Sequence, residues 1–204
     1  MKKRSPVFKE NYTYYLEKIK AVSLEKTAQR LGAVVESDGI VIPLFGRPYR
    51  LNSEGVSDSR GNVPDYFTCV VLFKYVLMCP DWEPVAGDWV SFKDFRDAAP
   101  LVSYFSQRVE GDLTRHFAGR ADRLASASTR IGGVFSDLRL SYTVAAVFEA
   151  LPKIAVLVLF NDKDDEFPAA CSVLFRNQAQ AYLDMECVAG LGNRLSEKLI
   201  GADR

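Results

Sequence analysis

The sequence predicts an α+β fold in which antiparallel sheets of short strands pack with several helices. Three observations predict it. Strand-like clusters are separated by helix-like clusters without strict β-α-β alternation. Residues 33–62 break into short apolar runs at D-G, F-G, E-G and R-G steps, the pattern of a meander. Residues 63–80 are apolar nearly all round, as a helix enclosed by other elements would be.

The elements follow in chain order. Phe8, Tyr12, Tyr15, Leu16 and Ile19 fall at helical spacing, and Ala28 and Leu31 resume the stripe, which gives helix over about 8–31. Ser23 is placed to cap the second piece and Gly32 to stop it. The meander comes next. Pro64 and Asp65 then suit a helix start and Pro80 an end, so a buried central helix is expected over about 65–78. Trp82 and Trp89 share a breaker-rich loop over 81–95. From Leu101 to about Ala127 the pattern is helical, in two pieces broken near Gly111. Residues 131–160 hold two or three β-rich runs bounded by Gly132–Gly133 and Pro152, and 169–175 supply another. The final helix is expected over 176–201, with Asn177 as cap and Tyr182, Met185, Val188, Leu195 and Leu199 as its buried stripe. No linker interrupts this order, so residues 1–204 are expected to form a single α+β domain.

Composition narrows the function. The 26 basic and 26 acidic residues cancel, which argues against a nucleic-acid partner, since such binders carry a basic excess. Cys69, Cys79, Cys171 and Cys187 form no C-x-x-C pair, and Cys69 and Cys171 lie in apolar runs, so all four are expected to be reduced. His116 is the single histidine, so neither zinc nor an iron–sulfur cluster is expected, nor any other cofactor. The start of the chain lacks the apolar core of a signal peptide, and the longest apolar run, 69–79, contains Lys74. A soluble, cytoplasmic protein with no membrane partner is expected.

Two clusters carry candidate chemistry. The first is the loop "NDKDDEF", with Asp162, Asp164, Asp165 and Glu166 between two apolar runs. Clustered carboxylates can hold Mg²⁺ or Ca²⁺. An EF-hand register starting at Asp162 fails, because Phe167 and Val173 stand where Gly and Glu are needed. The expected reading is a solvated hairpin connection, with Phe160 and Phe167 closing it against the sheet; a cation or ligand site is the functional alternative. The second cluster is Arg108, Arg115 and Arg123, with Arg120 and Arg130 nearby on helix. Arginine forks suit anions, but the interspersed Glu110, Asp112 and Asp122 also fit a mixed-charge solvated face. "GLGNRL" at 190–195 lacks the third glycine and the preceding strand of a dinucleotide fingerprint. No P-loop, G-x-S-x-G or H-E-x-x-H motif occurs.

The order of several weak motifs resembles a known family. "VLFKYVL" (71–77) precedes "GDWVSF" (87–92), Gly132–Gly133 precedes a strand, and Leu151–Pro152, "DDEFPA" (164–169), Leu174–Phe175 and "AYLDMECV" (181–188) follow. Together they resemble the bacterial family catalogued as domain of unknown function 3786, known mainly from anaerobes. The resemblance implies no particular activity. It does imply an accessory role in anaerobic one-carbon or corrinoid metabolism, because relatives are associated with iron–sulfur fusions and with such genes. Two positions depart from the family pattern. Arg176 follows Leu174–Phe175 where Asp is expected, and Lys153 follows Pro152 where a second proline is expected. The expected function is a non-catalytic accessory or binding module for a protein or small-molecule partner. The alternative is a small metal-dependent enzyme using the 162–166 carboxylates.

Overall fold

The computed structural model describes residues 6–136 and 142–204. Two compact units emerge: Met1–Pro84 with Leu151–Lys153 and Ala181–Leu183, and Val85–Ala150 with Ile154–Gln180 and Asp184–Arg204. The architecture is α+β, with two antiparallel sheets of short strands.

The first unit opens with helices α1 (Pro6–Ile19) and α2 (Leu24–Leu31). Strands β1 (Val34–Glu36), β2 (Gly39–Leu44), β3 (Arg47–Asn52) and β4 (Gly55–Asp58) pair antiparallel in chain order, and helix α3 (Tyr66–Leu77) follows. The β2–β3 turn places Phe45 and Gly46 at φ 48° and 71°, the backbone that suits the twist of a tight hairpin. Asp65 caps α3 by accepting a hydrogen bond from the Thr68 amide at 3.1 Å. Val71, Leu72, Phe73, Tyr75 and Val76 are all buried on α3. The buried Tyr75 hydroxyl is fully used: it donates to the Leu31 carbonyl at 3.0 Å and accepts from the Lys153 amide at 3.1 Å. On α1, the Tyr12 hydroxyl accepts the Val56 amide at 2.9 Å, and its ring meets Phe8 and Phe73.

The second unit contains β5 (Trp89–Ser91), α4 (Val102–Phe105), α5 (Gly111–Phe117), α6 (Ala121–Arg130), β6 (Val134–Phe135), β7 (Val144–Leu151), β8 (Ile154–Asn161) and β9 (Ala170–Arg176). The chain ends with α7 (Ala179–Tyr182) and α8 (Met185–Ala202). The sheet order is β5-β9-β8-β7-β6. In β8, Val156 through Phe160 are all buried, which is why this strand reads as a continuous apolar run. Phe92 stacks on Phe105 at 4.4 Å between ring centroids, and Phe95 and Phe105 both meet Phe175.

Three local expectations are corrected. The helix does not break near Gly111: a π-helical turn over Ser106–Glu110 carries α4 directly into α5. The Gly111 amide donates to the Ser106 carbonyl, the wide bond that defines such a turn. The break comes instead where Gly119 takes φ 73°. Asn177 does not cap the last helix either. Its amide donates to the Asp88 carbonyl at 3.0 Å, and Asp184 caps α8 through the Cys187 amide at 3.0 Å. The predicted stripe of Tyr182, Met185, Val188, Leu195 and Leu199 is nevertheless buried. Finally, Phe160 is buried but Phe167 is 66% exposed, so only one of the two aromatics anchors the acidic loop.

Candidate functional site

The acidic loop joins β8 to β9, and its carboxylates do different jobs. Asp162 reaches the start of α6. It accepts from the Gly119 amide at 2.5 Å, the Ala121 amide at 3.1 Å and its neighbour Lys163 at 2.8 Å. The residue at the N-cap position of α6 is Arg120, which cannot cap, so Asp162 supplies the missing acceptor from another element. Burial opposes its ionisation, but the three amides prevail and hold its pKa below the ordinary aspartate value. Asp164 accepts from the Glu166 and Phe167 amides at 2.9 and 2.7 Å, a local turn that lowers its pKa as well. Asp165 and Glu166 are exposed. Among the described residues, no three His, Cys, Asp or Glu side chains are grouped to hold a metal ion.

These roles separate under mutation. Asp162→Ala should destabilise the protein by about 1 kcal/mol, the usual loss for a helix cap. Because the folded pKa of Asp162 is depressed, its contribution is present above the unfolded value. It is lost as pH falls through the folded one, so the variant should show a shallower acid-unfolding limb. The Asp164→Asn/Asp165→Asn pair should change stability by only a few tenths of a kcal/mol. Urea melts across an acid pH series give both numbers. A rise in melting temperature with Mg²⁺ or Ca²⁺ that the double variant abolishes would instead establish a cation site.

The three arginines do not converge on one point. Arg123 is taken up by Asp203, which is only 7% exposed: the guanidinium reaches the carboxylate at 2.7 Å and the Asp203 carbonyl at 2.7 Å. His116 Nε2 lies 2.8 Å from the other carboxylate oxygen. Desolvation works against ionised Asp203, yet His116 and Arg123 together keep its pKa below the ordinary value. Arg130 donates to the Ala202 carbonyl at 2.5 Å. The C-terminal end of α8, where carbonyls lack helical partners, is therefore clamped by two arginines from α6. Arg115 pairs with Asp112 one turn back on α5.

Arg108 has a different setting. It sits in the π-helical turn and lines a cleft of about 570 Å³ between that helix and α8. Tyr104, Asp112, Asn193, Ser196 and Arg204 share the lining. The volume lies within the usual range for small-molecule sites. The carboxylates at this cleft are engaged: Asp112 by Arg115, and Glu197 by Asn193 at 2.9 Å and Arg194 at 3.8 Å. Among the described residues, the side chains of Arg108 and Arg204 have no hydrogen-bond or ion-pair partner. Sequence reasoning selected Arg108 but missed Tyr104, Asn193, Ser196 and Arg204. The i, i+4 spacing of the polar pair Asn193 and Glu197 on α8 was the available signal, since both lie off the buried stripe.

The family model for the domain of unknown function 3786 (DUF3786) matches residues 23–198. The chain belongs to this family. Neither the comparison with curated proteins nor that with solved structures finds a match. Arg176 and Lys153, the two positions expected to depart from the family pattern, both have structural roles. Arg176 stacks over Trp89 at 4.2 Å and donates to the Gly87 carbonyl at 3.0 Å, while Lys153 donates its amide to Tyr75. Among the described residues, no helix is long and apolar enough to cross a membrane.

Proposed function

We propose that this member of the family is a cytoplasmic, non-catalytic binding or accessory module whose small-molecule site is the cleft between the π-turn helix and α8. The accessory role in anaerobic one-carbon or corrinoid metabolism implied by the resemblance is part of the same proposal. The observation that carries the reading is the cleft itself. It combines a ligand-sized volume with side chains of two helices, both well anchored. The wall on the α4–α5 side is held by Phe105, Val109 and Leu113, all buried, and the α8 wall by Leu191, Leu195 and Leu199. A site on such packed elements is preorganised, so little ordering entropy opposes binding.

A thermal-shift screen of small metabolites against the full chain tests this. A true ligand raises the melting temperature with concentration as binding theory requires. Amide shifts in NMR should then map to Tyr104, Asn193 and Ser196. Ligands that bind but perturb only residues elsewhere would remove the cleft from the proposal, and turnover of a bound compound would remove the non-catalytic reading.

A further inference from the structure

The charge balance around this cleft points to the class of ligand, and we infer that it is a compact oxyanion of the phosphate or phosphate-monoester type, held by Arg108. The inference rests on the binding-module reading above and goes further by naming the ligand chemistry. Three ion pairs and one arginine–carbonyl bond surround the cleft or support its α8 wall. Arg115 faces Asp112, Arg194 faces Glu197, Arg123 faces Asp203, and Arg130 binds the Ala202 carbonyl. The partial negative charge at the C-terminal end of α8 would otherwise attract the nearest cations. It is already met by Arg123 and Arg130. Arg108 and Arg204 are the cations left over, and both line the same concavity. Both are exposed, and two guanidinium groups lining one concavity repel each other until an anion arrives. Their planar forks match tetrahedral oxyanions with paired hydrogen bonds.

The backbone supports the same assignment. Arg108 lies in the middle of the π-helical turn, which re-aims side chains relative to a regular α-helix and recurs at functional positions. The turn is held on both sides. Glu110 reaches out to accept the Val173 amide at 3.1 Å on β9. Gly111 follows, and an added Cβ there would lie 3.2 Å from the Ser106 carbonyl that its amide binds. The Tyr104 hydroxyl and the Asn193 amide stand in the same lining as further hydrogen-bond donors.

The test is titration of the full chain with inorganic phosphate at constant ionic strength, read by calorimetry and by amide shifts, with chloride as the matched control. Phosphate should saturate and shift Tyr104 and Asn193. Arg108→Ala should weaken it at least about tenfold, Arg108→Lys should restore part of the affinity, and Arg60→Ala should leave it within about twofold. A phosphate response no larger than that of chloride, or one unchanged by Arg108→Ala, overturns the inference. An uncharged compound that shifts Tyr104 and Asn193 while phosphate does not would overturn the oxyanion assignment and leave the binding-module reading intact. Silence of these residues towards both phosphate and the metabolite screen would overturn both.

Discussion

Gly192→Val should destabilise the protein by about 3 kcal/mol, through overpacking of a core that has no room to yield. Replacing a mid-helix glycine normally stabilises, or changes little, because glycine is a poor helix former. Here the sign reverses. A Cβ on Gly192 would lie 2.5 Å from Cε2 of Phe105 and 3.4 Å from Val109 Cγ1. Phe105 cannot retreat, since its other face stacks on Phe92 at 4.4 Å. In a chain of this size that loss lowers the thermal midpoint by roughly 6–12 °C. Gly201→Ala in the same helix is the control, because nothing lies within 4 Å of the added carbon. Phe105→Leu combined with Gly192→Val should recover part of the loss, and a double-mutant cycle measures how much. Equal melting of the parent and Gly192→Val would refute the close approach. The same geometry explains "GLGNRL": Gly192 serves helix packing against an aromatic ring, not a dinucleotide phosphate.

Gly55→Ala should also cost about 3 kcal/mol, from backbone strain and displacement together. Gly55 has φ 137°, a region that side-chain-bearing residues rarely enter. Its added Cβ would overlap the Tyr12 hydroxyl and stand 3.0 Å from the Tyr12 Cζ. That hydroxyl accepts the Val56 amide, and the ring packs on Phe8 at 5.6 Å and Phe73 at 5.1 Å. Moving Tyr12 therefore disturbs the hydrogen bond and both aromatic contacts at once. Gly61→Ala separates the two contributions. Its φ is 77° with no neighbour within 4 Å, so it should lose only the backbone part, about 1–2 kcal/mol. Urea unfolding of the two variants side by side checks the difference, and equal losses would show that Tyr12 yields freely.

Much of the fold was legible because the signals are local. Asp65 and the Pro80 stop bound α3 within its own segment, and the glycine-bearing turns of 33–62 set hairpins between adjacent strands. The continuous apolar runs of β8 and α3 follow from burial on nearly every side. The acidic loop also announced itself as a connection, since residues that strongly favour turns separate two strand-forming runs. The misreadings share one cause. Gly111 looks like a helix breaker in isolation, but the Glu110 bond to β9 and the Ser106 carbonyl hold the chain in a π turn. Asn177 looks like a cap, but it packs beside Gly87, and Asp184 takes the role.

The sequence by itself determined the α+β class, the hairpin turns, the central helix and the family, because spacing, turn chemistry and motif order are properties of neighbouring residues. Only the tertiary structure decided which charges remain available. Asp162 caps a helix whose first residue is 41 positions earlier, and Arg123 is consumed by Asp203, 80 positions later. Among the described residues, the Arg108 side chain is left without a partner although its sequence surroundings look the same as those of Arg115. Coulomb and hydrogen-bond energies depend on distance in space, and no one-dimensional pattern records whether a distant carboxylate has already claimed a given guanidinium.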